Sequence, residues 1–149
     1  NRLVAELAAD VLAGPSSRLY AKLYSNGDIG AEFDAEAMIL PGSIAMMISG
    51  ESRNPKKVLD EVLAAAQSLA SDIDYGYFNR IKKANLGASL RSLDRVKSLC
   101  HEQIEATFAG YDYLDTIDVM NEISASEVSS FIGKMFKEDR ISLSVVSGK

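Results

Sequence analysis

The chain has 149 residues, of which 47% are hydrophobic and 25% are charged, with a formal net charge of −5. This length and apolar content fit one folded domain over residues 1–149 and exclude an intrinsically disordered chain. The negative charge argues against nucleic-acid binding, and no apolar run reaches the roughly 18 residues that a membrane-spanning helix needs. We therefore expect neither nucleic acid nor a membrane as a partner.

Cysteine and histidine each occur once, as Cys100 and His101. A single cysteine excludes an internal disulfide and fits a reducing, cytoplasmic compartment. A zinc site of the H-x-x-E-H type needs two histidines one helical turn apart, so this chain cannot build one. On a helix the two neighbouring side chains point about 100° apart, and no nucleophile motif accompanies them. We predict a structural histidine and no bound metal.

The first 27 residues predict two helices. Apolar residues at helical spacing indicate an amphipathic helix over residues 2–13, which Gly14-Pro15 ends because proline cannot continue a helix. Ser16 or Ser17 then caps a second, short helix. The pair Asn26-Gly27 supplies its left-handed stop.

From about Ile29 the apolar period changes from 3.6 to 2, which predicts two antiparallel strands over residues 30–39 and 43–49. The pair Pro41-Gly42 forms the turn between them. Acidic residues alternate with apolar ones on the first strand: Glu32, Asp34 and Glu36. We interpret them as a solvated sheet face; a metal site is the less favoured alternative, since calcium sites are usually built in loops.

Three further helical regions follow the hairpin. Asn54-Pro55 begins the first of them, with an N-cap and proline at the first helical position. Residues 75–108 have a helical pattern throughout. One unbroken helix of this length would be about 50 Å long, which is long for one domain, so we expect a break between Gly87 and Asp94. Ser124 and Glu127 form a capping box for the last helix.

Residues 140–147 alternate apolar side chains with serines and predict a terminal strand. The order α-α-β-β-α-α-α-α-β indicates an α+β, two-layer domain, with helices packed on one face of a small antiparallel sheet. Two adjacent strands and a remote third leave that sheet short, and the chain begins at Asn1 rather than Met. We expect a piece of a longer protein that is missing an N-terminal strand.

The segment from Ala9 to Gly27 contains the run Ser16-Ser17-Arg18-Leu19-Tyr20. It resembles the "S-S-R-L-F/Y-x-x-L" segment of the pitrilysin/insulinase zinc peptidases, a family that includes the mitochondrial processing peptidases. The pattern is most similar to the YmfH-like bacterial branch. The matching residues are Gly14, Ser16, Ser17, Tyr20, Leu23, Tyr24, Gly27, Ile29 and Phe33. Further matches are Ser49-Gly50, Asn54-Pro55, the helix Phe78-Asn79-Arg80-Ile81-Lys82-Lys83 and Leu86-Gly87.

The resemblance implies a mitochondrial-processing-peptidase-like (LuxS/MPP-like) metallohydrolase fold and a clamshell of two similar halves that close on a peptide. Zinc belongs to the N-terminal half, so this chain is expected to be part of the zinc-free C-terminal half and to hold no cofactor. Its implied partners are the N-terminal half of the same protein and a peptide or unfolded polypeptide substrate. The parent protein is expected to be a zinc metalloendopeptidase, with this piece inactive alone.

The sequence departs from the family pattern at two positions. Active members place an Arg after the motif leucine and a Tyr just beyond the following Gly, whereas this chain has Tyr24 and then Ile29 or Gly30. A phenol does not replace the forked donor of Arg, so no catalytic residue and no cofactor-binding residue is assigned. Tyr24 is a candidate substrate-cleft residue, but a buried tyrosine on a helix face is the favoured interpretation.

Three functions remain open. The leading one is a non-catalytic domain of a zinc metallopeptidase that helps to enclose the substrate. The alternative is an inactive family member that acts as a scaffold or binding subunit, and a weaker third is an unrelated small-molecule-binding domain. We also expect the isolated chain to self-associate, through unpaired sheet edges and exposed apolar helix faces.

Overall fold

The order of elements follows the sequence prediction but adds one helix and lacks one strand. The computed structural model describes residues 2–147. The elements in this range are α1 (Arg2–Ala13), α2 (Arg18–Ser25), β1 (Asp34–Leu40), β2 (Ser43–Ser49), α3 (Pro55–Ser71), α4 (Tyr75–Leu93), α5 (Val96–Ala109), α6 (Asp115–Glu122) and α7 (Ala125–Met135), followed by a short 3-10 turn (Glu138–Arg140). The predicted α+β class is confirmed.

Helix α1 is the centre of the fold. It packs against both strands and against α2, α3, α4, α6 and α7. Leu7, Ala8 and Ala9 are consecutive in sequence and all almost fully buried, so the helix is covered on more than one face. Small alanines allow neighbouring elements to approach closely, and the predicted amphipathic helix α1 lies in the core of the domain.

Strands β1 and β2 form an antiparallel hairpin in the register Asp34↔Ser49 to Leu40↔Ser43. Ala35 and its partner Ile48 contribute to the core, while Asp34 and Glu36 are exposed. The acidic residues of β1 therefore form the solvated face that the alternation predicts. The strand begins four residues later than expected. Within residues 2–33 the one contact of sheet type is the isolated bridge between Ile29 and Ser52.

The predicted strand over residues 140–147 is wrong within the range that the structure describes. Arg140 ends the 3-10 turn, and residues 141–147 pair with no strand. Alternating apolar and polar residues show which side of a strand could be buried. A strand also needs a neighbouring strand whose backbone forms hydrogen bonds with its N–H and C=O groups. In residues 2–147 the sheet contains β1 and β2 alone, so this segment has no partner there.

The long helical region breaks at Asp94, the last residue of the predicted window, where α4 ends and α5 begins two residues later. Gly87 lies inside α4. Helix α6 was not predicted from the sequence, because only Thr116 and Met120 of its eight residues are buried, which is too few for a visible period. No helix in residues 2–147 is both long enough and apolar enough to cross a membrane.

Candidate functional site

The Ser17-Arg18-Leu19 motif connects α2 to the body of the domain. Buried Ser17 caps the helix by accepting a hydrogen bond from the Tyr20 backbone N–H at 2.9 Å. The Arg18 guanidinium donates to the Asp74 carboxylate at 3.0 Å and lies 5.0 Å from the centre of the Tyr77 ring. Leu19 is buried in the core. These motif residues fix the position of α2 against the start of α4, which is a structural role.

Next to this motif, three aromatic side chains form a row, here called the aromatic row: Tyr20, Tyr24 and Phe33. Tyr20 and Tyr24 are four residues apart on α2, so their rings stack, with centroids 5.7 Å apart and planes 10° apart. Phe33 is buried and packs at a tilt against Tyr20, at 6.2 Å. The Tyr20 hydroxyl donates to the Ala31 carbonyl oxygen at 3.4 Å.

The prediction that Tyr24 is buried on a helix face is wrong, since its side chain is 53% exposed. Its apolar sequence neighbours Leu23 and Leu19 point into the core, whereas Tyr24 lies on the outward side of the short helix. Stacking on Tyr20 holds the exposed ring in one orientation. Tyr24 is therefore an exposed aromatic side chain that is stacked on its neighbour Tyr20.

The second departure from the family pattern is at Ile29 or Gly30, where the pattern has a Tyr. Ile29 is 5% exposed and forms its bridge to Ser52, so its side chain is part of the core. The Gly30 backbone N–H donates to the Glu51 carbonyl oxygen at 3.2 Å. Neither Ile29 nor Gly30 has a side chain that could donate a hydrogen bond, as the Arg and Tyr side chains of the family pattern could.

His101 and Cys100 lie on the exposed surface of α5. The His101 Nε2 atom is 3.3 Å from the Glu105 Oε1 atom, one helical turn away. Across residues 2–147, no group of three potential metal ligands comes together. The residues of this chain therefore do not fit the zinc that the family implies, and no chemical step through a metal is assigned to them.

A small cleft of about 170 Å³ lies between the end of α1 and α4, with half-buried Asp10 in its wall. Burial raises the pKa of the Asp10 carboxyl above its ordinary value of 3.8, against the lowering effect of the Asn85 side chain. The nearby Asp34 carboxylate adds to the rise. The ionised form is thus less favourable in the folded chain than in the unfolded chain.

Replacing Asp10 with asparagine is therefore expected to stabilise the chain at neutral pH. Because the folded pKa lies above the unfolded pKa, ionisation disfavours the folded state at pH values above the folded pKa, and this effect disappears below the unfolded value near 3.8. In urea titrations between pH 3.5 and 8, Asp10→Asn should have a higher midpoint than the wild type at pH 8, with the difference closing as the pH falls. The control is Asp60→Asn, which removes an exposed carboxylate on α3; equal effects of the two substitutions would contradict the prediction.

The sequence and the fold were compared with those of known proteins. No model of a known protein family matches the chain. Over all 149 residues it is 21% identical to the uncharacterised zinc protease YmfH of Bacillus subtilis strain 168, of which it covers 35%. A protein of Alicyclobacillus acidocaldarius assigned as an M16-like peptidase superposes with a TM-score of 0.81 at 20% identity, covering 93% of this chain and 34% of the other.

The chain has the fold of the M16-like zinc peptidases. A second solved structure supports this: the inactive peptidase domain of a Bordetella parapertussis protein assigned as a zinc protease. It superposes with a TM-score of 0.76 at 19% identity, covering 93% of this chain and 79% of the other. The resemblance to the pitrilysin family, and to its YmfH-like branch, is thus confirmed. The chain spans about a third of the length of YmfH.

Proposed function

We propose that this chain is a non-catalytic domain of a zinc-dependent metallopeptidase, in the C-terminal half, where it helps to enclose a peptide substrate. The observation that carries the proposal is that all 149 residues align with about a third of a zinc protease, while the chain has a single histidine. A zinc motif of the family type then has to be supplied by another part of the same protein, its N-terminal half. We assign the protein to the cytoplasm on its cysteine content.

The aromatic row is the proposed point of contact with the substrate. Aromatic rings provide a large contact area with little conformational freedom to lose, so an exposed, pre-oriented ring suits a flexible peptide. Tyr24 has both properties, because it is 53% exposed and stacked on Tyr20. An ion pair between Lys22 of the same helix and Glu61 of α3 connects the two helices.

In the full-length peptidase, Tyr24→Ala is expected to lower kcat/KM for peptide cleavage by roughly threefold to tenfold, the effect of losing one aromatic contact. Tyr24→Phe keeps the ring and should retain most of the activity. Tyr75→Ala serves as the control, because Tyr75 is 71% exposed and lies on α4, outside the aromatic row. Equal kinetics for Tyr24→Ala and Tyr75→Ala would contradict the assignment of Tyr24.

The enclosing role is tested by expressing the 149-residue chain together with the rest of the protein as two separate polypeptides. We expect the two parts to co-purify, and cleavage to require both and to be inhibited by a chelator. Neither polypeptide should cleave peptides alone, because the metal and the rest of the cleft then lie on different molecules. Full cleavage by the N-terminal part alone would overturn the proposal.

A scaffold or binding subunit is the second candidate. It is favoured by the Bordetella parapertussis structure, since that zinc protease domain is described as inactive and the chain covers 79% of it. The two candidates differ outside this chain. A parent sequence with H-x-x-E-H and a downstream Glu supports the peptidase, and a parent without them supports the scaffold.

A further inference from the structure

Helix α5 carries an exposed apolar stripe at intervals of four residues. Its members, here called the α5 stripe, are Val96, Cys100, Ile104 and Phe108. Val96 is 74% exposed, Ile104 55% and Phe108 91%. The stripe is about 18 Å long at 1.5 Å per residue. Beside it lies an open groove of about 670 Å³, which Ile104 and Phe108 share with Leu99 and Leu114.

The opposite side of α5, which faces the domain, buries few side chains. Ala106 is the one residue of α5 that is buried, whereas seven of the twelve residues of α1 are. The helix therefore presents more large apolar side chains to solvent than to the core. Contiguous apolar surface of this kind is typical of a face that another molecule covers.

The charges beside the α5 stripe identify a second copy of the same helix as the occupant. Lys97, His101 and Glu105 follow the stripe residues by one position and form a parallel row along one side. When two such helices meet antiparallel across a two-fold axis, the same sides face each other with the direction reversed. Lys97 of each copy then lies opposite Glu105 of the second copy. In a parallel two-fold dimer the two rows would instead lie on opposite sides of the contact, so Lys97 and Glu105 of the two copies would not meet.

We propose that two copies of this chain dimerise through antiparallel contact of their α5 helices. In this arrangement Val96 packs near Phe108 of the second copy, and Cys100 packs near Ile104 of the second copy, so the apolar stripes cover each other. Two Lys97–Glu105 pairs at the margin set the direction. The contact involves one helix and its groove on each side, so we expect a small interface and a dimer that forms only at high concentration. The dimer does not depend on the proposed peptidase role.

Sedimentation of the 149-residue chain over a concentration series tests the apolar part of the interface. We expect a monomer–dimer equilibrium, and Phe108→Glu should raise the dissociation constant by at least about tenfold, because it replaces the largest apolar side chain of the stripe with a charge. The matched control is Val146→Glu, which adds the same charge at a residue that is 97% exposed and far from α5 in sequence. A wild-type chain that stays monomeric at all concentrations, or a dimer that persists in Phe108→Glu, would overturn the proposal.

A charge exchange tests the antiparallel direction. Lys97→Glu and Glu105→Lys should each weaken the dimer, since each places like charges opposite one another, and the double substitution should restore it. Single exchanges that leave the dimer intact, or a double exchange that fails to restore it, would contradict this geometry.

Discussion

Replacing Phe78 with alanine is expected to lower the free energy of unfolding by about 3–5 kcal/mol, the usual cost of removing a buried phenyl ring and leaving a cavity. Phe78 is 1% exposed, and it is the largest of the fully buried side chains in the described part of the chain. It lies on α4 and belongs to the core cluster that is centred on α1. Urea denaturation followed by circular dichroism measures the loss directly.

The matched control is Phe108→Ala, the same substitution at a residue that is 91% exposed. At concentrations where the chain is monomeric, this variant should change the free energy of unfolding by less than about 0.5 kcal/mol. Similar losses for the two variants would show that the core is not the cluster around α1. The comparison also separates the contribution of Phe108 to dimerisation from any contribution to folding.

Gly14→Ala is expected to cost about 1–3 kcal/mol, the range for forcing an extra group into a packed site. A Cβ atom at this position would lie 2.7 Å from the Asp10 carbonyl oxygen and 2.8 Å from the Asp10 Cα atom. Both are backbone atoms of α1, so relief requires the helix end itself to move. The Gly14 backbone N–H also donates to that Asp10 carbonyl at 3.1 Å, and a shift would weaken this bond.

Gly30→Ala is the control for this prediction. A Cβ atom at Gly30 would meet no heavy atom within 4 Å, and the residue has no positive φ. Alanine there should be neutral or stabilise the chain by up to about 1 kcal/mol, because it restricts the unfolded state. If the thermal midpoints of the two variants are equal, close packing at Gly14 is not the reason that the family pattern has glycine there.

Some of this protein could be determined from sequence because the interacting groups are neighbours in the chain. Ser124 and Glu127 form both bonds of the capping box, with the Ser124 N–H donating to Glu127 Oε2 at 2.8 Å and the Glu127 N–H donating to Ser124 Oγ at 3.3 Å. The Asn54 cap is equally local, since its side chain accepts from the Lys57 N–H. Helix ends of this kind are encoded within three or four residues.

The family resemblance could be found from the sequence because its motif also lies within a short segment of the chain. Its motif combines a cap at Ser17, an inter-helix contact at Arg18 and a close approach at Gly14, each of which requires a particular residue type. The sequence also determined that the chain lacks the histidines for a zinc motif, because that conclusion needs only a count.

Tertiary structure alone decided the features that depend on distant partners. The strand period of residues 141–147 shows which side chains would share a face, but it does not supply a neighbouring strand, and none pairs with them in the described range. Tyr24 has apolar neighbours in sequence yet is exposed, because α2 turns Leu19 and Leu23 toward the core. Helix α5 has apolar residues on several sides, and only packing shows that the α5 stripe is the uncovered one. A residue pattern specifies the faces of an element, whereas the arrangement of the other elements decides which face is buried.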